Sequence, residues 1–248
     1  MLLIVELDGI LFDLKHACWH AYGLSVGEIG YARTEEATFW RLLRTGADDG
    51  LLVRGAKPRH LNAFRHHFQR HLEADETIAL MTPGANLAPA LKLLHELGQC
   101  SLVTSGANVS ARQKLLERHH LFDTLPRLAA LSPPVARSAT QICELAGDSG
   151  RAFVLGAGER IIRAAGEAGL PAVGIAAGSC IAKRLTQCGA AVTFADLHAF
   201  AVAHQQGDQR LVDMGLPSAR NRPPSTPTRR PDRTADRERR RRRRREGR

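Results

Sequence analysis

The pattern of hydrophobic and polar positions divides the chain into a short strand, a helical stretch and a long alternating region. Residues 2–7 form an apolar run with β-branched members that leads into Asp8 and Gly9, which predicts a buried strand followed by a turn. Residues 14–80 instead carry apolar side chains at helical spacing with few β-branched residues, so we predict a helical insertion.

The region after Thr82 alternates short apolar strands with amphipathic segments of about ten residues. Such alternation is typical of parallel βαβ units, whose helices cover both faces of one sheet. Ligands of parallel sheets bind beyond the carboxyl ends of the strands. The strand ends of interest are therefore residues 6–8, 104–105 and 156–158, and we expect them to lie at one edge of the sheet.

The same pattern predicts the domain organisation. We predict an α/β core formed by residues 1–13 and 82–205, a helical cap formed by residues 14–81, and a linker and tail formed by residues 206–248. A chain of 248 residues is long enough for one large domain that carries an inserted subdomain.

The net positive charge of the chain comes from its tail, residues 217–248. Residues 217–248 contain 14 arginines and four acidic residues, whereas the other 216 residues carry 21 basic and 21 acidic groups. The Pro-, Arg- and polar-rich composition of the tail predicts disorder. The seven consecutive arginines from Arg239 to Arg245 could bind nucleic acid or another anionic partner, or the tail could be a solvated extension without a partner.

Targeting signals are absent from the pattern. No apolar run approaches the roughly 20 residues that a membrane span requires, and the acids at positions 6 and 8 interrupt the N-terminal apolar run, which argues against a signal peptide. Five cysteines without a CxxC pair fit reduced thiols. We therefore predict a cytoplasmic protein without a membrane span.

Five segments, in order along residues 2–200, resemble the haloacid dehalogenase-like hydrolase superfamily. "ELDGILFD" resembles its opening motif Asp-x-Asp-Gly-Thr-Leu-x-Asp, and "CSLVTSGANVSARQKLL" is similar to its second motif. "FVLGAGERIIRAAGEAGLPAVGI" is similar to the strand, turn and helix of the fourth motif, while "TPGANLAPALKLLHELG" and "LTQCGAAVTFADLHAF" are similar to the re-entry and closing segments. The resemblance favours the branch of phosphoglycolate phosphatases and phosphomutases, which implies a Rossmann-like α/β core with an inserted helical cap.

The resemblance also implies phosphatase chemistry, in which an acid attacks phosphorus and a second acid two residues later transfers protons. Glu6 stands at the nucleophile position and Asp8 at the acid/base position. Glu6 has one methylene more than the expected Asp, which moves its oxygen by about 1 Å, and misplacement of that order costs about 10²-fold in rate. The implied phosphate-binding positions are Gly9, Thr104, Ser105 and Gly106.

The positions that the resemblance assigns to cations are altered. Ala157 and Ile161 replace the acids expected to bind Mg²⁺, and neither can supply an oxygen ligand. The third-motif Lys, expected near residues 132–133, is missing, and Arg137 is the nearest alternative cation. We therefore assign no metal ligand.

Two other acids lie near the fourth motif. Asp148, in "GDS", precedes its strand, so we expect it at the opposite edge of the sheet from the site. Glu159 follows the strand, but the phase of the helix predicts that its side chain points outward.

Three functions follow from these observations. The first is a protein with a degenerate phosphatase site, catalytically impaired, that acts by binding or regulation and to which we assign no cofactor. The second is an active phosphatase of a small phosphorylated metabolite, with Mg²⁺ as cofactor and Glu6 as an unusual nucleophile or metal ligand. The third is a nucleic-acid-associated protein that acts through its arginine-rich tail.

Overall fold

The computed structural model describes residues 1–121, 128–147, 149 and 151–216. Its strands are β1 (Leu2–Glu6), β2 (Phe12–Asp13), β3 (Thr82–Pro83), β4 (Gln99–Thr104), β5 (Leu128–Ala130), β6 (Ala152–Gly156), β7 (Ala172–Ile175) and β8 (Val192–Phe194). Six of them form one parallel sheet in the order β5-β4-β1-β6-β7-β8, and β2 pairs antiparallel with β3. The predicted Rossmann-like α/β core is thus confirmed.

Strand β1 lies at the centre of the sheet, between β4 and β6. All five of its residues are buried, and alternate side chains enter different apolar clusters: Leu3 and Val5 enter one, and Leu2 and Ile4 the other. Since both faces are covered, the strand needs an unbroken apolar run rather than an alternating one. This burial explains why residues 2–5 could be recognised as a strand from the sequence.

The helices of the core flank the sheet. They are α6 (Leu87–Leu97), α7 (Val109–Arg118), α8 (Val135–Ala146), α9 (Glu159–Glu167), α10 (Ala182–Gln187), α11 (Leu197–Gln206) and α12 (Gln209–Asp213). Helix α7 begins where the Asn108 side chain accepts a hydrogen bond from the Ala111 amide, at 3.1 Å. Such a cap satisfies one of the free N–H groups of the first turn. The cap therefore helps to fix the start of a helix that carries a side chain of the site.

The insertion between β2 and β3 is helical, in agreement with the periodicity of residues 14–80. It contains α1 (Lys15–Glu28), α2 (Glu36–Thr45), α3 (Asp49–Leu52), α4 (Pro58–Leu72) and α5 (Asp75–Ile78). Aromatic side chains form its own core: the rings of Tyr22 and Phe39 stack at 4.4 Å, and the Tyr22 hydroxyl donates to the Leu52 carbonyl at 2.8 Å. The insertion thus has its own buried core above the carboxyl edge of the sheet.

Some elements differ from the sequence prediction. Strand β5 and helix α12, of three and five residues, were not predicted. The core also extends past the boundary expected at residue 205, since Leu211 and Leu216 are buried in the same cluster as β1. Among the described residues, no helix has the length and apolar character needed to cross a membrane. The predictions for residues 217–248 and for Asp148 concern positions outside the described ranges.

Candidate active site

The carboxyl ends of β1, β4 and β6 lie side by side, as the sequence predicted. The register places Glu6 of β1 opposite Val103 of β4 and Val5 opposite Leu155 of β6. The chain leaves each strand at the same edge, so residues 6–8, 104–106 and 157–158 form one polar cluster. This cluster is the candidate site.

Glu6 is held by three hydrogen bonds. The amides of Ala157 and Gly158 donate to Oε2 at 2.8 and 3.0 Å, and the Ser105 hydroxyl donates to Oε1 at 2.8 Å. Only 2% of the residue is exposed. The longer side chain of Glu thus reaches across to the turn after β6, and its carboxylate takes up the donors that surround it.

Burial also changes the protonation of Glu6. Removal from water raises the pKa of the Glu6 carboxyl to about 7, and the nearby Asp8 charge adds to the rise, while the hydrogen bonds from Ala157, Ser105 and Gly158 oppose it. Because the pKa lies near neutrality, Glu6 exchanges a proton in the pH range in which most proteins are studied. Burial thus favours the protonated form of Glu6 compared with an exposed carboxyl.

Asp8 is also held in place, by hydrogen bonds and an ion pair. The Thr104 hydroxyl donates to Asp8 Oδ2, and Arg112 Nε donates to Asp8 Oδ1 at 2.8 Å. Arg112 Nη1 also donates to Glu73 Oε2 at 2.8 Å, and the Arg112 side chain is only 5% exposed. Asp8 is therefore one end of a buried Asp8–Arg112–Glu73 network that joins the core to the end of the cap.

The sequence-based prediction missed Arg112 and Glu73. Arg112 belongs to the buried face of α7, together with Leu115 and Leu116, and an arginine at such a position signals a buried carboxylate partner. The partner itself could not be read from the sequence, because Glu73 comes from the segment after α4. Gly106 lies against the Arg112 guanidinium, and its amide donates to Thr104 Oγ1 at 2.9 Å. That amide is therefore not available to the phosphate that the sequence assigned to it.

Gly9 permits a close approach of two backbone segments. It has a φ of +82°, and a β-carbon there would lie 2.7 Å from Gly178 Cα and 3.0 Å from Ala157 Cβ. Left-handed backbone of this kind favours glycine. The loop after β7 is therefore packed directly onto the turn after β1 and onto Ala157, and this packing leaves little room for a larger side chain at position 157.

The residues present do not fit a Mg²⁺ ion. Magnesium requires several oxygen ligands in a near-octahedral set, whereas Ala157 and Ile161 are buried apolar side chains. The carboxylates at the first-motif positions, Glu6 and Asp8, are already engaged by hydrogen-bond donors. Over the described ranges, no group of three or more His, Cys, Asp or Glu side chains is arranged to hold a metal ion.

The structure also shows where three other residues lie relative to the site. Glu159 does not point outward as predicted: it lines the cavity above the site and bonds Arg184, because the loop after β7 and helix α10 lie beside it. Arg137 is exposed on α8 and does not line this cavity. Cys18 lines the cavity, but burial raises the pKa of its thiol to about 12, so a thiolate nucleophile is disfavoured.

The cap is bound to the core above the site. Arg44, in the last turn of α2, donates through Nε to the Gly178 carbonyl at 3.1 Å and through Nη2 to the Ala176 carbonyl. In the opposite direction, Arg184 of the core donates to the Leu43 carbonyl at 3.1 Å. A cavity of about 370 Å³ lies between the two parts, and Glu6, Asp8 and Arg112 line its floor.

A parallel sheet with a helical cap inserted after its first strand, and with polar groups at its carboxyl edge, defines the haloacid dehalogenase-like fold. The solved structures agree with this assignment. A haloacid dehalogenase-like family hydrolase from Streptococcus pneumoniae is similar at a TM-score of 0.65 and 15% identity, over 82% of this chain and 98% of that one.

Two further structures show the same similarity. A predicted phosphatase from Clostridium acetobutylicum has a TM-score of 0.62 at 15% identity, over 81% of this chain and 96% of that one. A predicted phosphoglycolate phosphatase from Haemophilus somnus 129pt has a TM-score of 0.59 at 16% identity, over 82% and 97%. No protein-family model matches the sequence, and no curated protein matches it significantly. The comparisons therefore establish the fold.

Proposed function

We propose that this chain is a haloacid dehalogenase-like protein that has lost phosphoryl transfer and acts by binding a ligand. The observation that carries the proposal is the hydrogen bonding of Glu6, whose carboxylate accepts from Ala157, Gly158 and Ser105. A nucleophile must have an oxygen free to approach phosphorus. Here both oxygens of Glu6 are engaged within the protein.

Two further features support loss of activity. Asp8, at the acid/base position, is paired with Arg112 and with the Thr104 hydroxyl, so a proton transfer would have to break a buried ion pair. Among the described residues there is also no group of three or more His, Cys, Asp or Glu side chains arranged to hold a metal ion that would shield a phosphate dianion. Stabilisation of the developing charge is usually the largest single contribution to such catalysis.

The alternative is an active Mg²⁺-dependent phosphatase of a small phosphorylated metabolite. Its support is the fold, and the fact that two of the similar structures carry the name phosphatase. An assay with p-nitrophenyl phosphate and Mg²⁺ separates the two functions. We expect the wild-type protein to hydrolyse this substrate no faster than its Asp8→Asn variant, with or without Mg²⁺. Mg²⁺-dependent turnover that disappears in Asp8→Asn would establish the phosphatase instead.

We propose a second, separate role for the arginine-rich tail in binding nucleic acid. The observation that favours it is the confinement of the net charge to residues 217–248, while the remaining 216 residues are electrically balanced. Binding through phosphate contacts weakens steeply with added salt. We expect the full chain to retain RNA on a filter at low salt and to release it as salt rises.

The control for the tail is a chain that ends at residue 216, since the described core extends to Leu216. This truncated chain should not retain RNA at any salt concentration, because the charge of the remaining residues is balanced. Equal retention by the full and truncated chains would remove the tail from nucleic-acid binding.

A further inference from the structure

The cavity of about 370 Å³ has a polar floor and a largely apolar roof. Its floor is the cluster around Glu6 and Asp8. The cap and its connections contribute the polar side chain of Gln69 and several apolar ones: Leu14, Cys18, Leu43, Phe68, Leu72 and Met81. Its volume lies in the range of small-molecule sites, which are mostly apolar with a few fixed polar groups.

The floor has few donors left for a ligand. Ser105 Oγ and the amides of Ala157 and Gly158 donate to Glu6, and Thr104 Oγ1 donates to Asp8. The cation of the floor, Arg112, is paired with both Asp8 and Glu73. These hydroxyls, these two amides and this guanidinium are therefore engaged within the protein and are not directed at a ligand.

Arg160 differs from Arg112 in its hydrogen-bond and ion-pair partners. It extends from the first turn of α9 and lines the cavity, and its Nη2 donates to the Ser105 carbonyl. Within the part of the chain that the structure describes, no carboxylate pairs with it, and its buried Nε has no hydrogen-bond partner. A buried donor left without a partner costs about 1–3 kcal/mol, more for a charged group. The guanidinium of Arg160 is thus less fully satisfied within the protein than that of Arg112.

The charges around the cavity limit the ligand to a single negative charge. Four carboxylates line it, but Arg112 pairs with Asp8 and Glu73, and Arg184 pairs with Glu159. Glu6 offsets the charge of Arg160 when it is ionised, and it carries no charge when it is protonated. The single charge of Arg112 neutralises only one of the two charges of Asp8 and Glu73, so the groups around the cavity carry no net positive charge. A ligand can therefore be met by a positive charge only locally, at Arg160, which lines the cavity.

On the basis of the binding role proposed above, we propose that this cavity takes a small amphipathic monocarboxylate. Its carboxylate pairs with Arg160, for which the planar guanidinium is well suited. Its hydrocarbon part lies against Leu43, Phe68 and Leu72 of the cap. The ligand therefore contacts core and cap together and stabilises the closed arrangement that Arg44 and Arg184 hold.

Octanoate is a suitable probe, and isothermal titration calorimetry on the full chain measures its binding. We expect saturable binding to the wild-type protein and to Arg163→Met, a control in which an exposed arginine of the same helix is removed. In Arg160→Met the Kd should rise at least about tenfold, the loss expected for one charge-assisted hydrogen bond. Acetate, which lacks the apolar part, and inorganic phosphate should show no binding.

A second comparison changes the ligand instead of the protein, and so does not depend on the folding of Arg160→Met. Octanamide has the same shape without the charge, and we expect it to bind the wild-type chain at least about tenfold more weakly than octanoate. Absence of saturable octanoate binding, equal binding of octanamide, equal binding by Arg160→Met, or binding of phosphate as tight as that of octanoate would each overturn the ligand class. The p-nitrophenyl phosphate assay tests loss of catalysis separately, so the two proposals can fail independently.

Discussion

Replacing Arg112 by methionine should lower the free energy of unfolding by about 3–5 kcal/mol, which is the usual loss when one partner of a buried ion pair is removed. The arginine side chain is 5% exposed, and those of its partners Asp8 and Glu73 are 10% and 16% exposed. Methionine fills much of the space but leaves two carboxylates without their cation. Urea denaturation of the two proteins at the same pH measures the difference.

Two variants make this prediction specific to the ion pairs. Arg118→Met removes an exposed arginine from the same helix and should change stability by no more than about 0.5 kcal/mol. The triple variant Arg112→Met/Asp8→Asn/Glu73→Gln removes the two carboxylate charges as well and should recover most of the loss. An Arg112→Met protein as stable as the wild type would mean that the network contributes little to joining cap and core.

Glu6→Gln should remove a pH dependence of stability that the wild-type protein shows between pH 4.5 and pH 7. Burial raises the pKa of Glu6 to about 7, while an unfolded chain has the ordinary value of 4.5. Between these values the folded protein keeps a proton that the unfolded chain has released, so stability falls as pH rises. The stabilisation is complete below pH 4.5, and above pH 7 the contribution is lost.

The expected size of this effect is about 3 kcal/mol over the interval, since one pKa unit corresponds to about 1.4 kcal/mol. The quantity to measure is the difference in unfolding free energy between the wild type and Glu6→Gln at several pH values, because contributions of other groups cancel in the difference. Glu96→Gln, on the exposed surface of α6, is the matched control and should leave the wild-type slope unchanged. A difference that does not vary with pH would show that Glu6 titrates as it does in the unfolded chain.

These two predictions concern the same feature of the molecule, a site whose polar groups are bonded to one another. Glu6 is bonded to the backbone of the turn after β6, and Asp8 is bonded to α7 and through it to the cap. Each carboxyl group is thereby held in a position from which it cannot approach a ligand without breaking its own contacts. The polar groups of the site are thus engaged within the protein, and the cap covers them.

The sequence by itself was sufficient to predict the fold and to bring the polar strand ends of the candidate site to one edge of the sheet. The apolar run of residues 2–5 marked the central strand, because a strand covered on both faces must be apolar throughout. The helical spacing of residues 14–80 marked the cap, and the polar strand ends marked the edge where Glu6, Asp8 and Ser105 meet. These features are local periods, which are visible without knowledge of the contacts.

Only the tertiary structure decided which groups each site residue contacts. Glu6 binds amides 151 and 152 residues further along the chain, and Arg112 binds a carboxylate 104 residues before it. A backbone amide leaves no trace in the sequence, because every residue except proline carries one. The partners of a buried charge are likewise set by how distant elements pack, so the pattern could place Glu6 and Asp8 in the site but could not show that both are already bound.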